Sequence, residues 1–288
     1  MCAPVPKHQA LPPANRGSLS SQTLERAALA LRMGHFAEAE RLAGEVLRRS
    51  RTDAVAVSML ARALIGQNRG GEAIAPLERA ARRNDEEGIA TLLGAALGSI
   101  GRRAEAIELL RRTTERRPPF LPAFQELAGQ LAQEGRFDEA ITVIKGGIGV
   151  APGSIDLQLD LARLQLNCNE RGAAREILFK AHEVEPGRAD ILQLLARILL
   201  LDGEYASAVD TCKRALALRP DDAMTRADLA ACHFEMGNRE AGEASLRLAM
   251  KGRPQMLGRA THALVQSSHG RFFFRQSAFA EFLQRQEA

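Results

Sequence analysis

Apolar residues along most of this chain recur at the alternating three- and four-residue spacing of a single helical face. The clearest stretch is 189–222. Leu192, Leu195, Ala196 and Leu199 mark one short helix, and Ala208, Cys212, Ala215 and Leu216 a second. Gly203 separates the two, and Pro220 stops the second. Ala196, Ala208 and Ala215 are small where two backbones would approach closely. A helix pair this short cannot bury its own apolar face and needs a neighbour on each side. No run alternates for long enough to propose a sheet.

The pattern repeats. Pro118, Pro152, Pro186, Pro220 and Pro254 are spaced 34 residues apart. Ala39, Ala73, Ala106, Ala140, Ala174 and Ala208 keep the same register, with one step of 33. So do Leu60, Leu93, Leu127, Leu161, Leu195 and Leu229, each followed by Ala or Gly. The turn-and-helix segments GHFAEA at Gly34, GRFDEA at Gly135 and GEYASA at Gly203 share one layout: Gly, any residue, an aromatic, two residues, Ala.

These coincident series resemble the tetratricopeptide repeat family. The resemblance implies an all-α solenoid, a right-handed superhelix of stacked helix-turn-helix units. It covers about seven repeats: 20–53, 54–87, 88–120, 121–154, 155–188, 189–222 and 223–256. Departures from the pattern are visible. The chain has no Trp, Gln165 stands where an apolar residue is usual, and Gly242 replaces the alanine of the second helix in repeat seven. Pro76 lies inside a second helix and should kink or delay it.

The two ends differ. Residues 1–19, with Pro4, Pro6, Pro12, Pro13 and Gly17, read as a disordered tail. Ser20, Ser21 and Thr23 are N-cap candidates for the first helix. Residues 257–288 read as C-terminal capping helices rich in Phe. Leu257, Ala260, Leu264 and Ala263 are the inward residues of the first. Phe279, Phe282 and Leu283 share a face that would cover the last repeat. Phe272, Phe273 and Phe274 exceed what a cap needs, so the alternative is a docking patch for a partner or a second copy.

The formal charge is only +4, unevenly spread. Residues 1–120 hold 19 basic and 13 acidic side chains, 121–246 hold 13 and 20, and 247–288 hold 7 and 2. This reads either as ordinary solvated faces or as charge-guided docking, and it does not mark a nucleic-acid binder. Cys2, Cys168, Cys212 and Cys232 form no CxxC and no secreted framework. Cys212 and Cys232 read as small buried apolar residues. No run is long and apolar enough to span a bilayer, and no signal-peptide pattern opens the chain, so a cytoplasmic protein is expected. Thirty-four Arg against 5 Lys points to a GC-rich bacterial genome.

No catalytic constellation appears. The six histidines are scattered, and HExxH, GxSxG, kinase and Walker signatures are absent. Lys145–Gly149, KGGIG, lacks the strand and the GKS or GKT of a phosphate loop, and reads as a weak last helical turn with close packing at Gly147. The expectation is a non-enzymatic scaffold with no cofactor and no metal. The resemblance places a partner's peptide in the concave groove, on positions two, five, nine, twelve and thirteen of the first helix of each repeat. In this sequence those positions include Arg62, Asp156, Leu159, Arg163, Leu166, Asn167, Asp190, Gln193, Arg197, Leu200, Leu201, Met224 and Phe234. Arg163 and Arg197 would either clamp a carboxylate bidentately or pair with Asp160, Asp190 or Asp228. Position nine is Ala, Gly or Arg rather than Asn, so the family's Lys–Asn clamp for chaperone C-termini looks absent. The alternative role is an accessory subunit of a bacterial envelope, secretion or glycan-transfer system.

Overall fold

A computed structural model describes residues 16–83 and 86–270. Among them are fifteen α-helices and no strand. They come in consecutive pairs. The first unit, Met1–Ala151, holds α1 (Arg16–Arg32) with α2 (Phe36–Arg49), α3 (Ala54–Gly66) with α4 (Gly70–Ala81), α5 (Glu87–Ser99) with α6 (Arg103–Thr114), and α7 (Leu121–Gln133) with α8 (Phe137–Val150). The second, Pro152–Ala288, holds α9 (Ile155–Asn167) with α10 (Arg171–Val184), α11 (Ala189–Leu201) with α12 (Tyr205–Leu218), α13 (Ala223–Glu235) with α14 (Arg239–Met250), then a 3₁₀ turn (Pro254–Met256) and α15 (Leu257–Gln266).

One backbone device makes every pair. The residue two places before each even-numbered helix up to α14 has a left-handed conformation: Gly34, Asn68, Gly101, Gly135, Asn169, Gly203 and Gly237, with φ between 60° and 84°. Only Gly adopts this without steric cost, and Asn tolerates it. The chain therefore reverses at the same place in each repeat. Asp53, Ser154 and Asp222 then cap α3, α9 and α13 by accepting a backbone N–H.

Within each unit the pairs stack one on the next in solenoid fashion. There every odd-numbered helix packs on the next odd-numbered helix, while the even-numbered helices make no comparable contact. The odd helices are thus the crowded inner layer. In the first unit Val57, Leu64, Leu77, Ile89 and Leu97 share one core. In the second, Leu159, Leu178, Ile191 and Ile198 form one cluster, and Phe234, Leu246, Met256, Ala260 and Leu264 another.

Some expectations change. The first helix begins at Arg16, inside the stretch read as a tail, so Ser20, Ser21 and Thr23 are helical residues rather than caps. Helix α4 runs unbroken from Gly70 to Ala81 through Pro76, so the proline neither stops it nor delays its start. Lys145–Gly149, by contrast, lies as expected at the end of a helix, with α8 running to Val150 and Gly147 buried. In α15, Ala260, Ala263 and Leu264 are buried, but Leu257 is 44% exposed and faces away from the core. Cys2, the rest of the tail, Phe272, Phe273, Phe274, Phe279, Phe282 and Leu283 lie outside the described residues.

Candidate functional site

The inner layer of the second unit holds most of the sequence-predicted positions, and the structure divides them. Leu159 and Phe234 are 1% and 0% exposed. Both are core residues, which corrects their assignment as anchors for a ligand. Leu166 is half-buried against the same core as Leu159, and Leu200 against that of Cys212 and Cys232. Gln193 is half-buried and Asn167 exposed. Leu201 and Met224 are 45% and 38% exposed, the open apolar members of the set.

The charged members are mostly engaged. Arg163 Nη1 donates to Asp160 Oδ1 at 2.8 Å, one turn back on α9. Asp156 and Asp190 are joined by Arg188, a residue the sequence reading passed over. Its Nη2 donates to Asp156 and its Nε to Asp190 at 2.9 Å. These hydrogen bonds, Asp156 first, raise the Arg188 pKa above its ordinary value. Arg197 Nη1 donates to Asp228 Oδ1 at 2.6 Å, and Arg259 Nη2 donates to the same oxygen at 2.6 Å. The Asp228 side chain is 5% exposed, so a nearly buried carboxylate on α13 is clasped from α11 and α15. Of the two roles open to Arg163 and Arg197, pairing within the unit is the one observed.

That clasp lies in a cleft of about 520 Å³, whose lining includes Leu200, Leu201, Tyr205, Ala231 and His262. Its other carboxylate, Glu235, accepts from Ser268 Oγ at 2.7 Å and Ser268 N–H at 3.2 Å. Arg259 and His262 were missed because 257–288 read as a cap. Their signal was the period itself, since α15 starts 34 residues after α13.

The first unit has its own cleft, of about 620 Å³, between α1, α2 and α3. Leu31, Phe36, Val55 and Met59 supply its apolar lining, and Arg32 and Arg62 its charge. Among the described residues, no carboxylate lines it. Both arginines are exposed and, among the described residues, neither makes a hydrogen bond or ion pair. Arg62 is thus the one predicted arginine left unneutralised.

Repeat-family models cover nearly all of this solenoid, at residues 30–96, 91–154, 131–198 and 199–263, each described as a tetratricopeptide repeat. The chain belongs to the tetratricopeptide repeat family. Tetratricopeptide repeat proteins mediate protein–protein interactions and are generally non-enzymatic scaffolds. A 113-residue stretch is 32% identical to cellulose synthase operon protein C of Pseudomonas fluorescens (strain SBW25), covering 39% of this chain and 9% of that protein. The chain therefore spans about a tenth of that relative's length. Among solved structures, a thermophilic tetratricopeptide repeat protein of Thermus thermophilus matches with a TM-score of 0.57 at 20% identity, over 63% of this chain and 99% of that one. The Cut9–Hcn1 hetero-tetramer of the APC/C matches with a TM-score of 0.60 at 16% identity, over 94% of this chain and 57% of that one. At these identities the likeness is one of fold.

Among the described residues, no helix of this repeat protein is long and apolar enough to cross a membrane. Nor do any three His, Cys, Asp or Glu side chains gather as a metal site there. Cys212 and Cys232 are buried free thiols. Hydrogen bonding from Cys232 and then burial push the Cys212 pKa far up.

Proposed function

We propose that this chain is a non-enzymatic scaffold whose inner helix layer holds an extended or helical segment of a protein partner. The observation that carries this reading is the pair of open clefts, one in each unit, both lined by successive odd-numbered helices. Stacking leaves the inner layer partly uncovered, and a cleft with apolar walls and a few charged groups suits a side-chain anchor. In the second unit Leu201 and Met224 supply open apolar surface, and the Asp228 clasp supplies rigidity.

The test is affinity capture from native lysate with quantitative mass spectrometry. Wild type is set beside Leu201→Glu/Ala231→Arg, which fills the second cleft, and beside Phe179→Glu on the even-numbered helix α10. A protein held by wild type and by Phe179→Glu, and lost by the cleft variant, supports the reading. Equal capture by all three sinks it.

The match to cellulose synthase operon protein C favours a second reading, an accessory repeat subunit of a bacterial envelope or glycan-transfer system. The shared span is short, so the test is the identity of the captured protein. Recovery of a glycan-polymerising enzyme or its subunits, dependent on the cleft, would support it, and capture of proteins of other kinds alone would sink it.

A further inference from the structure

We propose that the cleft of the first unit selects acidic protein segments, ones that carry a carboxylate beside an apolar side chain. This rests on the scaffold reading above and adds the chemistry of the partner.

The argument starts from a contrast between the clefts. In the second unit the arginines facing the cleft are answered from within, with Arg197 and Arg259 both on Asp228. In the first, Arg32 and Arg62 flank an apolar lining that holds no carboxylate among the described residues. Part of that apolar lining is open to a partner, since Val55 is 53% exposed. In water both guanidiniums are solvated at no cost. A partner that covers Leu31, Phe36, Val55 and Met59 removes part of that water. A neutral or basic partner would leave two cations partly desolvated and unpaired, which is unfavourable. A carboxylate restores the lost hydrogen bonds through the planar fork of arginine.

The chain itself does not provide the match. Residues 1–15 contain no Asp or Glu, and residues 271–288 contain three Arg against two Glu. Nucleic acid fits less well, because a backbone-tracking site needs a run of cations and this one has two set among aliphatic groups.

The test is selection of a random displayed peptide library on the full-length chain, followed by affinity measurement on the enriched peptides. Enriched peptides should be net acidic with apolar residues. Their affinity should fall by about tenfold or more in Arg32→Glu/Arg62→Glu, less in Arg32→Gln/Arg62→Gln, and should weaken with added salt. Circular dichroism and melting of both variants check that they fold. Enrichment of neutral or basic peptides, or acidic peptides bound equally by Arg32→Glu/Arg62→Glu, overturns the proposal. Peptides lost only by Ala231→Arg overturn it and leave the scaffold reading standing. No enrichment of any peptide counts against both. A fluorescent single-stranded oligonucleotide or phosphatidylserine vesicles binding through Arg32 and Arg62, with no acidic peptide selected, overturns it in favour of a phosphate ligand.

Discussion

The ring of Phe234 occupies the space that a Cβ on Gly242 would need, with the nearest ring carbon 2.6 Å from that position. Phe234 is fully buried in the last core cluster, beside Leu246 and Ala260. The departure of repeat seven at Gly242 is therefore one half of an adjustment: a large residue on α13 is matched by the loss of a methyl on α14. Gly66 and Phe36 show the same match between α3 and α2, again at 2.6 Å.

Gly242→Ala should overpack this core and destabilise the chain by about 1–3 kcal/mol. Phe234→Leu in the same background should recover part of the loss. Thermal unfolding followed by circular dichroism reads both. A single Gly242→Ala variant as stable as wild type would show that the ring has room to move.

Asp228 ties three inner helices together, so Asp228→Asn should cost more than its size suggests. The amide oxygen can still accept from Arg197 and Arg259, but without the negative charge both hydrogen bonds weaken and two guanidiniums share a nearly buried neutral group. About 1–3 kcal/mol is expected, in line with a lost charge-assisted pair at a nearly buried site. Glu105→Gln, which breaks the exposed pair with Arg102 at 2.5 Å, should melt like wild type. Similar losses from both changes would deny the clasp its special place.

Gln165 is 7% exposed, and its buried Oε1 meets no hydrogen-bond donor among the described residues. Gln165→Met keeps the length and removes that polar atom, and should stabilise by about 1 kcal/mol. Chemical denaturation with an unchanged slope is the measurement, and a lower midpoint would show that the amide contributes something the apolar side chain cannot.

His233 on α13 is held below its ordinary pKa of 6.5, by burial first and by Lys213 second. Its folded state thus resists protonation that the unfolded chain accepts. The stability this protects is fully present above pH 6.5 and is lost as the pH falls below it. His233→Gln should flatten the decline of melting temperature between roughly pH 7 and pH 5. A profile parallel to wild type would assign the decline to other groups.

Cys212 and Cys232 are buried, and the Cys212 thiol is held strongly protonated. The thiolate is the reactive form, so both should resist iodoacetamide in buffer and label once urea unfolds the second unit. Peptide mapping locates the adducts. Fast labelling of Cys212 in buffer would mean that α12 and α13 open readily.

The helix pairs were legible in the order of residues because the determinants are local. The 3.6-residue spacing of apolar positions, a left-handed Gly or Asn at each turn and a small residue where helices cross all recur within one repeat length. Position along the repeat also placed Leu200, Leu201, Met224 and Arg62 on the inner layer. It could not say which inner-layer side chains stay open. Leu159 and Phe234 share the nominal groove register with Leu201, yet they are buried, because access depends on how far the next helix pair covers each position. Pairing was equally out of reach. Arg62 and Arg197 occupy the same place in their repeats, but only Arg197 meets a carboxylate, Asp228, 31 residues further along. Repeat register is written in one segment of chain, whereas exposure and charge balance depend on the segment stacked against it.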